Sequence, residues 1–332
     1  MFNGKKILIT GGTGSLGQAL TKRLLEYDVD IIRIFSRNEQ KQIEMESQFN
    51  DKRLRFFLGD IRDYSRLVRA IEDVDIVFHA AALKHVPKIE YNPFEGIQTN
   101  VIGSQNVIDA CLQEDVERVI AISTDKAVSP LNTYGATKAL MEKLFVSASN
   151  YSNPQKHHTK FITVRYGNVV GSSASVIPVF INQIKNNQKI TITDPNMTRL
   201  SITMKDALDF IIKAAEIGKG SEIFLPKLRA YSITDVKEVL QEALGNTGEE
   251  EIGIRLGEKL HEILINKDEM RYSWEIEDMY MISNPIFDDD LIKSRYPGIK
   301  HLEDFGEYSS DRVEKISKEE LKKVIEESGL LD

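Results

Sequence analysis

Short apolar runs alternate with amphipathic stretches along the first half of the chain. The runs are rich in β-branched and aromatic residues, as buried strands are, and lie at 5–10, 30–36, 54–60, 75–81, 118–124 and 160–168. The segments between them show helical patterning, at 15–27, 39–49, 64–72, 95–113 and 134–149. This alternation predicts an α/β fold with a doubly wound parallel sheet and helices on both of its faces.

The alternation ends near residue 170. Helical patterning returns at 205–217 and 235–244, and a charged helix, KEELKKVIEE, is expected to cap the surface near residue 320. We therefore predict a nucleotide-binding domain over 1–170 plus roughly 200–225, and a smaller substrate-binding lobe over 171–199 and 226–332. Such a lobe would lie over the carboxyl edge of the sheet, where doubly wound proteins bind their ligands.

Composition narrows the class of protein. The 332 residues are 41% hydrophobic and 28% charged, as in soluble globular proteins, and the net charge of −8 argues against nucleic acid as a partner. The single cysteine, Cys111, cannot form an internal disulfide, and no apolar run approaches the ~20 residues of a membrane span. His157, His158 and His261 lack the spacing of metal ligands. We expect a cytoplasmic protein without a metal site or a membrane span.

A glycine-rich turn follows the first predicted strand. Residues 11–17, GGTGSLG, satisfy the pattern G-x-G-x-x-G and open a helix. The glycines permit a tight turn and a close approach of backbone N–H groups to a pyrophosphate, whereas a purely structural turn is the alternative. The residues predicted to contact a dinucleotide here are Gly11, Thr13, Gly14, Ser15, Leu16 and Gly17.

The end of the second predicted strand bears on which dinucleotide binds. An NAD enzyme carries an acidic residue there, but this chain has Ser36 and Arg37, with Lys41 one turn into the next helix. A guanidinium and an ammonium suit a 2′-phosphate, so the predicted cofactor is NADP; a solvated basic helix start is the alternative. Asp60 and Ile61 end the third strand, where they would meet the adenine, although Asp60 could equally cap a helix.

A tyrosine and a lysine, Tyr134 and Lys138, lie four residues apart on a predicted helix and share one face. A free tyrosine has a pKa near 10 and is a poor base at neutral pH. A neighbouring ammonium and the positive charge of a nicotinamide favour the phenolate and lower that pKa. We predict that Tyr134 removes a hydroxyl proton as hydride leaves the same carbon, while Lys138 holds the ribose hydroxyls.

Together these motifs resemble the extended short-chain dehydrogenase/reductase superfamily, in its sugar-nucleotide branch. The resemblance covers at least 5–265. The segments most specific to one family are AALKHVP (81–87), STDKAVSPLNTYGATK (123–138), RYGNVVGS (165–172), ITDPNMTR (192–199) and RLGEKLHE (255–262). There the chain is similar to the inverting UDP-N-acetylglucosamine 4,6-dehydratases of pseudaminic acid synthesis and to their relatives in capsule synthesis. It departs from the inverting members at 172–175, where those usually carry an Arg-Gly pair.

The residues after the fifth predicted strand bear on which reaction is catalysed. A 4-epimerase only oxidises and reduces C4, for which Tyr134 and Lys138 suffice, whereas a 4,6-dehydratase also needs an acid and a base beside the sugar. Asp125 and Lys126 directly follow Thr124. The resemblance implies that Asp125 protonates the departing hydroxyl and that Lys126 transfers a proton at C5, giving a UDP-4-keto-6-deoxy sugar with inversion. A surface Asp-Lys pair is the alternative.

The resemblance implies further contacts and partners. For the cofactor these are Ala81, Lys84 and Asn100 together with Tyr134 and Lys138; for a UDP-sugar they are Lys84, Tyr166, Asn168, Arg199 and Arg255. The two arginines are candidates to neutralise the diphosphate. Segments 95–113 and 134–149 pair in many relatives, which implies a homo-oligomer. The rival hypotheses are a UDP-sugar 4-epimerase of the same fold and a non-catalytic NADP-sensing module.

Overall fold

A ten-stranded sheet forms the centre of the computed structural model, which describes residues 1–151, 157–171, 175–303 and 306–331. In these ranges the strands are β1 (Lys6–Thr10), β2 (Ile31–Ser36), β3 (Leu54–Leu58), β4 (Ile76–His79), β5 (Arg118–Ile122), β6 (Lys160–Val164), β7 (Asn168–Val169), β8 (Ile190–Ile192), β9 (Thr198–Ile202), β10 (Glu222–Pro226), β11 (Arg229–Ser232), β12 (Glu249–Glu251), β13 (Ile263–Ile265), β14 (Ser273–Ile276), β15 (Met279–Ile282), β16 (Lys300–His301) and β17 (Tyr308–Ser309).

The helices lie mostly between the strands, as the alternating pattern predicts. They are α1 (Ser15–Leu24), α2 (Glu39–Phe49), α3 (Tyr64–Ile71), α4 (Val86–Tyr91), α5 (Pro93–Ile97), α6 (Gly103–Gln113), α7 (Thr133–Tyr151), α8 (Val176–Lys185), α9 (Met204–Ile217), α10 (Ile233–Leu244), α11 (Lys267–Met270), α12 (Asp289–Arg295) and α13 (Lys318–Glu327). A turn of π-helix, Gln98–Ile102, joins α5 to α6, and a 3₁₀ turn, Asp125–Ala127, follows β5.

The order of the parallel strands confirms the predicted doubly wound fold. They run β3-β2-β1-β4-β5-β6-β10, so the winding direction changes between β1 and β4. At such a switch point the loops leave in opposite directions and open a crevice at the carboxyl ends of the strands. Alternate residues of each strand face opposite sides, and two separate apolar layers result: Ile7 and Ile9 belong to one, and Leu8 to the other.

Antiparallel strands complete the sheet beside β10. β15 pairs with β10, β14 pairs with β15, and β16 lies at the edge. These three strands come from 273–301, a range that the sequence assigns to the second lobe. The central sheet therefore takes residues from both ends of the chain, and the rest of the division into a domain and a lobe stays a prediction.

A third apolar cluster lies outside the sheet layers and packs α8 and α10 against α13. Helix α13 is amphipathic, because Leu321 and Ile325 are buried beneath its charged face. It thus contributes to this core as well as covering the surface. In the four described ranges, no helix has both the length and the apolar character needed to cross a membrane.

Candidate active site

A cleft of about 920 Å³ opens at the carboxyl ends of the parallel strands. The predicted site residues that line it are Gly11, Thr13, Gly14, Ser15, Leu16, Gly17, Ser36, Arg37, Lys41, Asp60, Ile61, Ala81, Lys84, Thr124, Lys126, Tyr134, Lys138, Tyr166, Asn168, Arg199 and Arg255. Asn100 and Asp125 are not among the described residues that line it. Residues predicted to bind the cofactor, to transfer protons and to bind the substrate therefore line one cavity.

The glycine turn forms one end of this cleft, which we call the cofactor end (residues 11–17, 36–41 and 60–62). Gly11 has φ +68°, and a Cβ there would lie 2.8 Å from the Ala81 backbone. A Cβ on Gly17 would lie 2.5 Å from the carbonyl oxygen of Gly12. Gly14 begins α1 as its N-cap without a side-chain hydrogen bond. The turn therefore presents backbone at a helix N-terminus, an arrangement that suits a dinucleotide pyrophosphate.

Basic side chains lie beside the carboxyl end of β2 in the cofactor end. Arg37 and Lys41 are exposed, and Arg37 Nη1 lies 3.6 Å from Asp60 Oδ2. Arg62, which the sequence analysis missed, donates to the same oxygen over 2.7 Å. Burial favours the neutral form of Asp60, but the hydrogen bonds and charge of Arg62 outweigh it and lower its pKa. Ser36 Oγ accepts from Gln42 Nε2 over 3.0 Å, which fixes the end of β2.

Asn100, for which the resemblance implies a cofactor contact, hydrogen-bonds the loop after β4 and helix α7. Its amide accepts from Leu83 N over 2.8 Å and donates to Leu83 O over 2.9 Å and to Thr137 Oγ1 over 3.0 Å. The side chain therefore ties the loop after β4 to helix α7. A direct contact of Asn100 with the cofactor stays a prediction.

Helix α7 brings Tyr134 and Lys138 to the other end of the cleft, which we call the proton-transfer end (Thr124, Lys126, Tyr134, Lys138 and the residues that they contact). Lys138 is 4% exposed and donates to the carbonyl oxygen of Ile122 over 2.6 Å. Burial lowers its pKa to about 8, against the charge of Glu142. The amine is thus placed where it can exchange its hydrogen bonds for those of a ligand.

The expected lowering of the Tyr134 pKa is not what this structure shows. Burial raises that pKa to about 12, and the charge of Asp125 adds to the rise. The charge of Lys126 and a hydrogen bond with Thr124 act in the lowering direction, but burial outweighs them. Positive charges near Tyr134 can be identified in the sequence, whereas its desolvation depends on the folded structure. Tyr134 is therefore a phenol at neutral pH in the protein alone.

Lys126 is surrounded by oxygen atoms. Within the described part of the chain, its Nζ lies 3.0 Å from Asp125 Oδ1, 3.2 Å from Asn168 Oδ1 and 3.2 Å from Glu262 Oε1. Burial lowers the pKa of Lys126, but the two carboxylates outweigh it and the net shift is upward. Lys126 is consequently an ammonium in this structure.

The two carboxylates beside Lys126 differ in their access to the cleft. The Asp125 side chain has no exposed surface and lies behind Lys126 and Thr124, whose hydroxyl donates to it over 2.8 Å. Glu262 lines the cleft, yet the sequence analysis passed over it. Glu262 lies in the motif RLGEKLHE (255–262), in which Arg255 is the one residue predicted to contact the substrate. Burial, together with the charge of Glu262, raises the pKa of Asp125, although the charge of Lys126 opposes that rise. The predicted role of Asp125 as a proton donor stays a prediction.

The predicted substrate residues line the same cleft. Arg199 is buried and donates to the carbonyl oxygens of Thr198 and Leu260, with Glu258 at 3.4 Å. Arg255 and Lys84 are exposed at the cleft. Tyr166 is buried, and Asn168, besides its contact with Lys126, hydrogen-bonds Tyr231. The cleft thus carries positive charge both in its interior, from Arg199, and at its surface, from Arg255 and Lys84. Residues 172–174, where the chain departs from the inverting relatives, are outside the described residues.

A buried ion-pair network supports the proton-transfer end from below. Arg165, 1% exposed, donates to both carboxylate oxygens of Glu142 and to Glu269 Oε1, over 2.9, 2.6 and 2.8 Å. Ser123 Oγ donates to Glu142 Oε1 over 2.6 Å. Because Glu142 lies one turn after Lys138, the network connects α7, the end of β5 and α11. No sequence motif indicated it.

Comparisons with known proteins agree with this arrangement. A family model described as polysaccharide biosynthesis protein matches residues 7–284. The chain is 51% identical over 288 residues to a UDP-N-acetylglucosamine 4,6-dehydratase (inverting) of Campylobacter jejuni, with 86% of this chain and 85% of that relative covered. It is 42% identical over 332 residues to a UDP-glucose 4-epimerase of Rickettsia massiliae, with 98% and 96% covered.

A solved structure shows the same fold over the whole chain. The X-ray structure of Pen from Bacillus thuringiensis superposes with a TM-score of 0.92 at 42% identity, and the match covers 99% of both chains. Its extent includes the antiparallel edge of the sheet as well as the parallel strands. The chain belongs to the polysaccharide biosynthesis protein family, with the extended short-chain dehydrogenase/reductase fold that its motifs predicted.

Proposed function

We propose that this protein is an NADP-dependent hydro-lyase that converts UDP-N-acetylglucosamine into a UDP-4-keto-6-deoxy sugar with inversion at C5. The observation that carries the proposal is that Lys126 lies beside two carboxyl groups, those of Asp125 and Glu262. Such proton-transfer groups beside Tyr134 and Lys138 are needed for a dehydration and not for an epimerisation. The name of the 51% identical relative supports it. The product would enter polysaccharide or pseudaminic acid synthesis.

The residues of the cofactor end fit NADP. The glycine turn leaves room for a pyrophosphate at the start of α1, and Arg37 and Lys41 provide positive charge for a 2′-phosphate. Lys138 would hold the ribose hydroxyls. When bound, the nicotinamide supplies a reversible two-electron oxidation at the sugar, so that the cofactor is not consumed over the whole reaction.

Tyr134 would take the proton of the C4 hydroxyl. The phenol must first lose its own proton, and burial opposes this in the protein alone. Added positive charge in the loaded cleft, together with Lys126 and the hydrogen bond with Thr124, would favour the phenolate. Tyr134 is therefore expected to become a base only when the cleft is filled.

Lys126 would exchange the proton at C5. Once C4 is a ketone, the C5 hydrogen is acidic, and its removal lets the C6 hydroxyl leave as water if an acid supplies a proton. Asp125, which lies 3.0 Å from Lys126 Nζ and whose pKa burial raises, would protonate the departing hydroxyl. Arg199 and Arg255 would neutralise the diphosphate, with Lys84, Tyr166 and Asn168 beside the sugar.

The experiment is incubation with UDP-N-acetylglucosamine and NADP in light and in heavy water. The expected product has lost one water and, in heavy water, carries deuterium at C5, while C6 carries the hydrogen originally at C4. The configuration of C5 in the NMR spectrum tests inversion. Lys126→Ala should bind the cofactor and lose most of the dehydration. A wild-type product without deuterium at C5 would exclude a solvent-exchanging group at that carbon.

A UDP-sugar 4-epimerase is the second candidate, because relatives of that name match nearly the whole chain. An epimer has the mass of the substrate, so the same incubation separates the two reactions. A non-catalytic NADP-sensing module would give no product at all. Such a module would not need catalytic residues, yet the cleft contains Thr124, Tyr134 and Lys138.

We also propose a cytoplasmic homo-oligomer without a nucleic-acid partner. Large apolar side chains are exposed on the segments expected to pair: Ile102 is 44% exposed and Leu140 on α7 is 52% exposed. Burial of such side chains against a second copy would stabilise the pair. Light scattering on the purified protein tests this, and a monomeric mass at micromolar concentration would contradict it.

A further inference from the structure

We propose that His79 is a positioning residue: it connects the glycine turn to the helix that carries Tyr134, and so keeps the cofactor and the sugar at the spacing that hydride transfer needs. The inference rests on the hydride transfer at C4 in the proposed function, a step that the alternative 4-epimerase would share. It concerns a residue that no sequence motif singled out.

The first observation is a continuous series of hydrogen bonds through the protein interior, which we call the His79 chain (Thr10, His79, Ser104, Asn100 and Thr137). His79 Nδ1 lies 2.8 Å from Thr10 Oγ1, and His79 Nε2 lies 3.0 Å from Ser104 Oγ. Ser104 Oγ donates to the carbonyl oxygen of Asn100 over 2.7 Å, and Asn100 Nδ2 donates to Thr137 Oγ1 over 3.0 Å. No member of the chain is more than 2% exposed. The whole series is therefore shielded from bulk water.

The two ends of the His79 chain lie at the two ends of the cleft. Thr10 is the last residue of β1 and directly precedes the glycine turn, and its Oγ1 accepts from Ala81 N over 3.3 Å. At the other end, Thr137 Oγ1 donates to the carbonyl oxygen of Tyr134 over 2.8 Å. The chain thus joins the segment expected to bind the pyrophosphate to the residue expected to take the proton of the C4 hydroxyl.

A neutral imidazole suits the middle of this chain. Burial, together with the charge of Lys138, lowers the pKa of His79 to about 3, so the ring is uncharged at neutral pH. A neutral ring has one N–H donor and one acceptor nitrogen. The hydroxyl hydrogen of Ser104 is used on the Asn100 carbonyl, so we assign the ring hydrogen to Nε2, which donates to Ser104. Nδ1 then accepts from the Thr10 hydroxyl, and the direction of each hydrogen bond is defined.

The surroundings of His79 would also accept an apolar ring. The other residues of β4 are Ile76, Val77 and Phe78, all apolar and fully buried. The imidazole stacks on the ring of Phe145 with 5.8 Å between centroids, a contact that a phenylalanine could make as well. Burial of the polar ring costs free energy, which its two hydrogen bonds offset. What an apolar ring could not do is fix two hydroxyl groups on different elements relative to each other.

Hydride transfer depends on the spacing that this connection maintains. The glycine turn is expected to hold the cofactor, and Tyr134 is expected to contact the C4 hydroxyl of the sugar. The two reacting carbon atoms are thus held by separate parts of the fold. A misplacement of about 1 Å can lower a rate by about 10². Loss of the His79 chain should therefore slow hydride transfer more than it weakens binding of the sugar.

Four variants of the NADP-loaded protein test the inference. His79→Phe keeps a buried ring but removes both hydrogen bonds, and Thr10→Val and Thr137→Val each remove one hydroxyl at an end of the chain. Ser283→Ala is the matched control, because its buried hydroxyl accepts from Trp274 Nε1 over 3.1 Å outside the chain. For each variant we would measure thermal unfolding and, at saturating NADP, kcat, KM and the kinetic isotope effect of deuterium at C4 of UDP-N-acetylglucosamine.

His79→Phe should lower kcat about tenfold or more and leave KM within about twofold of wild type. The C4 isotope effect should be expressed in kcat, because hydride transfer then limits the rate. Ser283→Ala should lower the unfolding temperature and leave kcat unchanged. A His79→Phe variant that behaves like this control, or one that loses kcat without a C4 isotope effect, would overturn the inference.

The two threonine variants test whether the chain acts as a unit. In the described structure Thr10 and Thr137 do not hydrogen-bond each other, so independent effects on kcat would add in the double variant. If both act through His79, the double variant should lose little more than the larger of the two single effects. Additive losses, or unchanged kcat in both single variants, would contradict the connection. This comparison also decides the question if His79→Phe does not fold.

Failure of the proposed function gives a different result. A wild type that epimerises the sugar without dehydrating it refutes the dehydration, yet the test of His79 stands, because that reaction also moves hydride at C4. A wild type that forms neither product refutes both. A wild type that dehydrates, with variants that keep its kcat, refutes the role of His79 alone.

Discussion

The two ends of the cleft are built in opposite ways. The glycine turn of the cofactor end consists of consecutive residues, and its shape depends on side chains that are missing, as the close backbone contacts at Gly11 and Gly17 show. The proton-transfer end depends on side chains that are present and that come from distant parts of the chain, such as Lys126 and Glu262. Adding atoms should therefore impair cofactor binding at the cofactor end, whereas removing atoms should impair catalysis at the proton-transfer end.

Removing one oxygen from the proton-transfer end gives the largest expected effect. Tyr134→Phe should lower turnover by about 10²–10⁴, because the C4 hydroxyl would have no base. The variant should still fold and bind both NADP and the UDP-sugar, since the change removes only the phenolic oxygen. Steady-state rates and a cofactor titration would measure this. Turnover within about tenfold of wild type would show that another group takes the proton.

The network below that end gives the next effect. Arg165→Met leaves Glu142 and Glu269 buried without their partner, which should lower the free energy of unfolding by about 3–5 kcal/mol. Arg229→Met is the control, because Arg229 also binds a carboxylate, Glu320, but on the surface. It should cost at most about 1 kcal/mol. Urea unfolding of both variants measures the difference, and equal losses would contradict the role of burial.

Adding one carbon atom to the glycine turn of the cofactor end should lower stability and weaken cofactor binding. Gly17→Ala places a Cβ 2.5 Å from the Gly12 carbonyl oxygen, a backbone atom that cannot move aside cheaply. We expect a loss of up to about 3 kcal/mol in stability and weakened NADP binding. Gly14→Ala is the control, since its nearest atom would lie 3.2 Å away. Cofactor titration and urea unfolding would detect a failure of this ranking.

The smallest effect concerns the choice of cofactor. Arg37→Ala removes a charged contact to the expected 2′-phosphate, worth about 1.5–3 kcal/mol, and should lower NADP affinity roughly tenfold or more. NAD affinity should not change, because NAD has no phosphate at that position. Titrating both cofactors against both proteins provides the control. Equal NADP affinities would remove Arg37 from the site.

The same contrast explains how much the sequence could predict. Alternation of apolar and polar positions indicates which segments are strands and which of their faces are buried, so the parallel sheet and the order of its elements followed from it. The G-x-G-x-x-G turn and the Tyr134–Lys138 spacing are local in the sequence, and the structure places both on the cleft. Features made by neighbours in sequence were therefore open to prediction.

Features made by neighbours in space were not. Strands β14 and β15 have only four residues each; β15 obtains its place from pairing with β10, and β14 obtains its place from pairing with β15. Glu262 lies in a polar segment that looks solvent-exposed, and only the packing of that segment brings it to Lys126. Desolvation was missed for the same reason: a pKa depends on burial, and no sequence motif near Tyr134 reports it.

The antiparallel edge of the sheet has a consequence for synthesis of the protein. Strand β10 is buried over all five of its residues and pairs on one side with β6. Its other side is paired by β15, which the ribosome makes about 50 residues later. Until then an apolar strand has an open edge of unpaired N–H and C=O groups, the kind of surface on which chains aggregate. A chain that stops before residue 279 keeps that edge, so truncated products should be prone to aggregate.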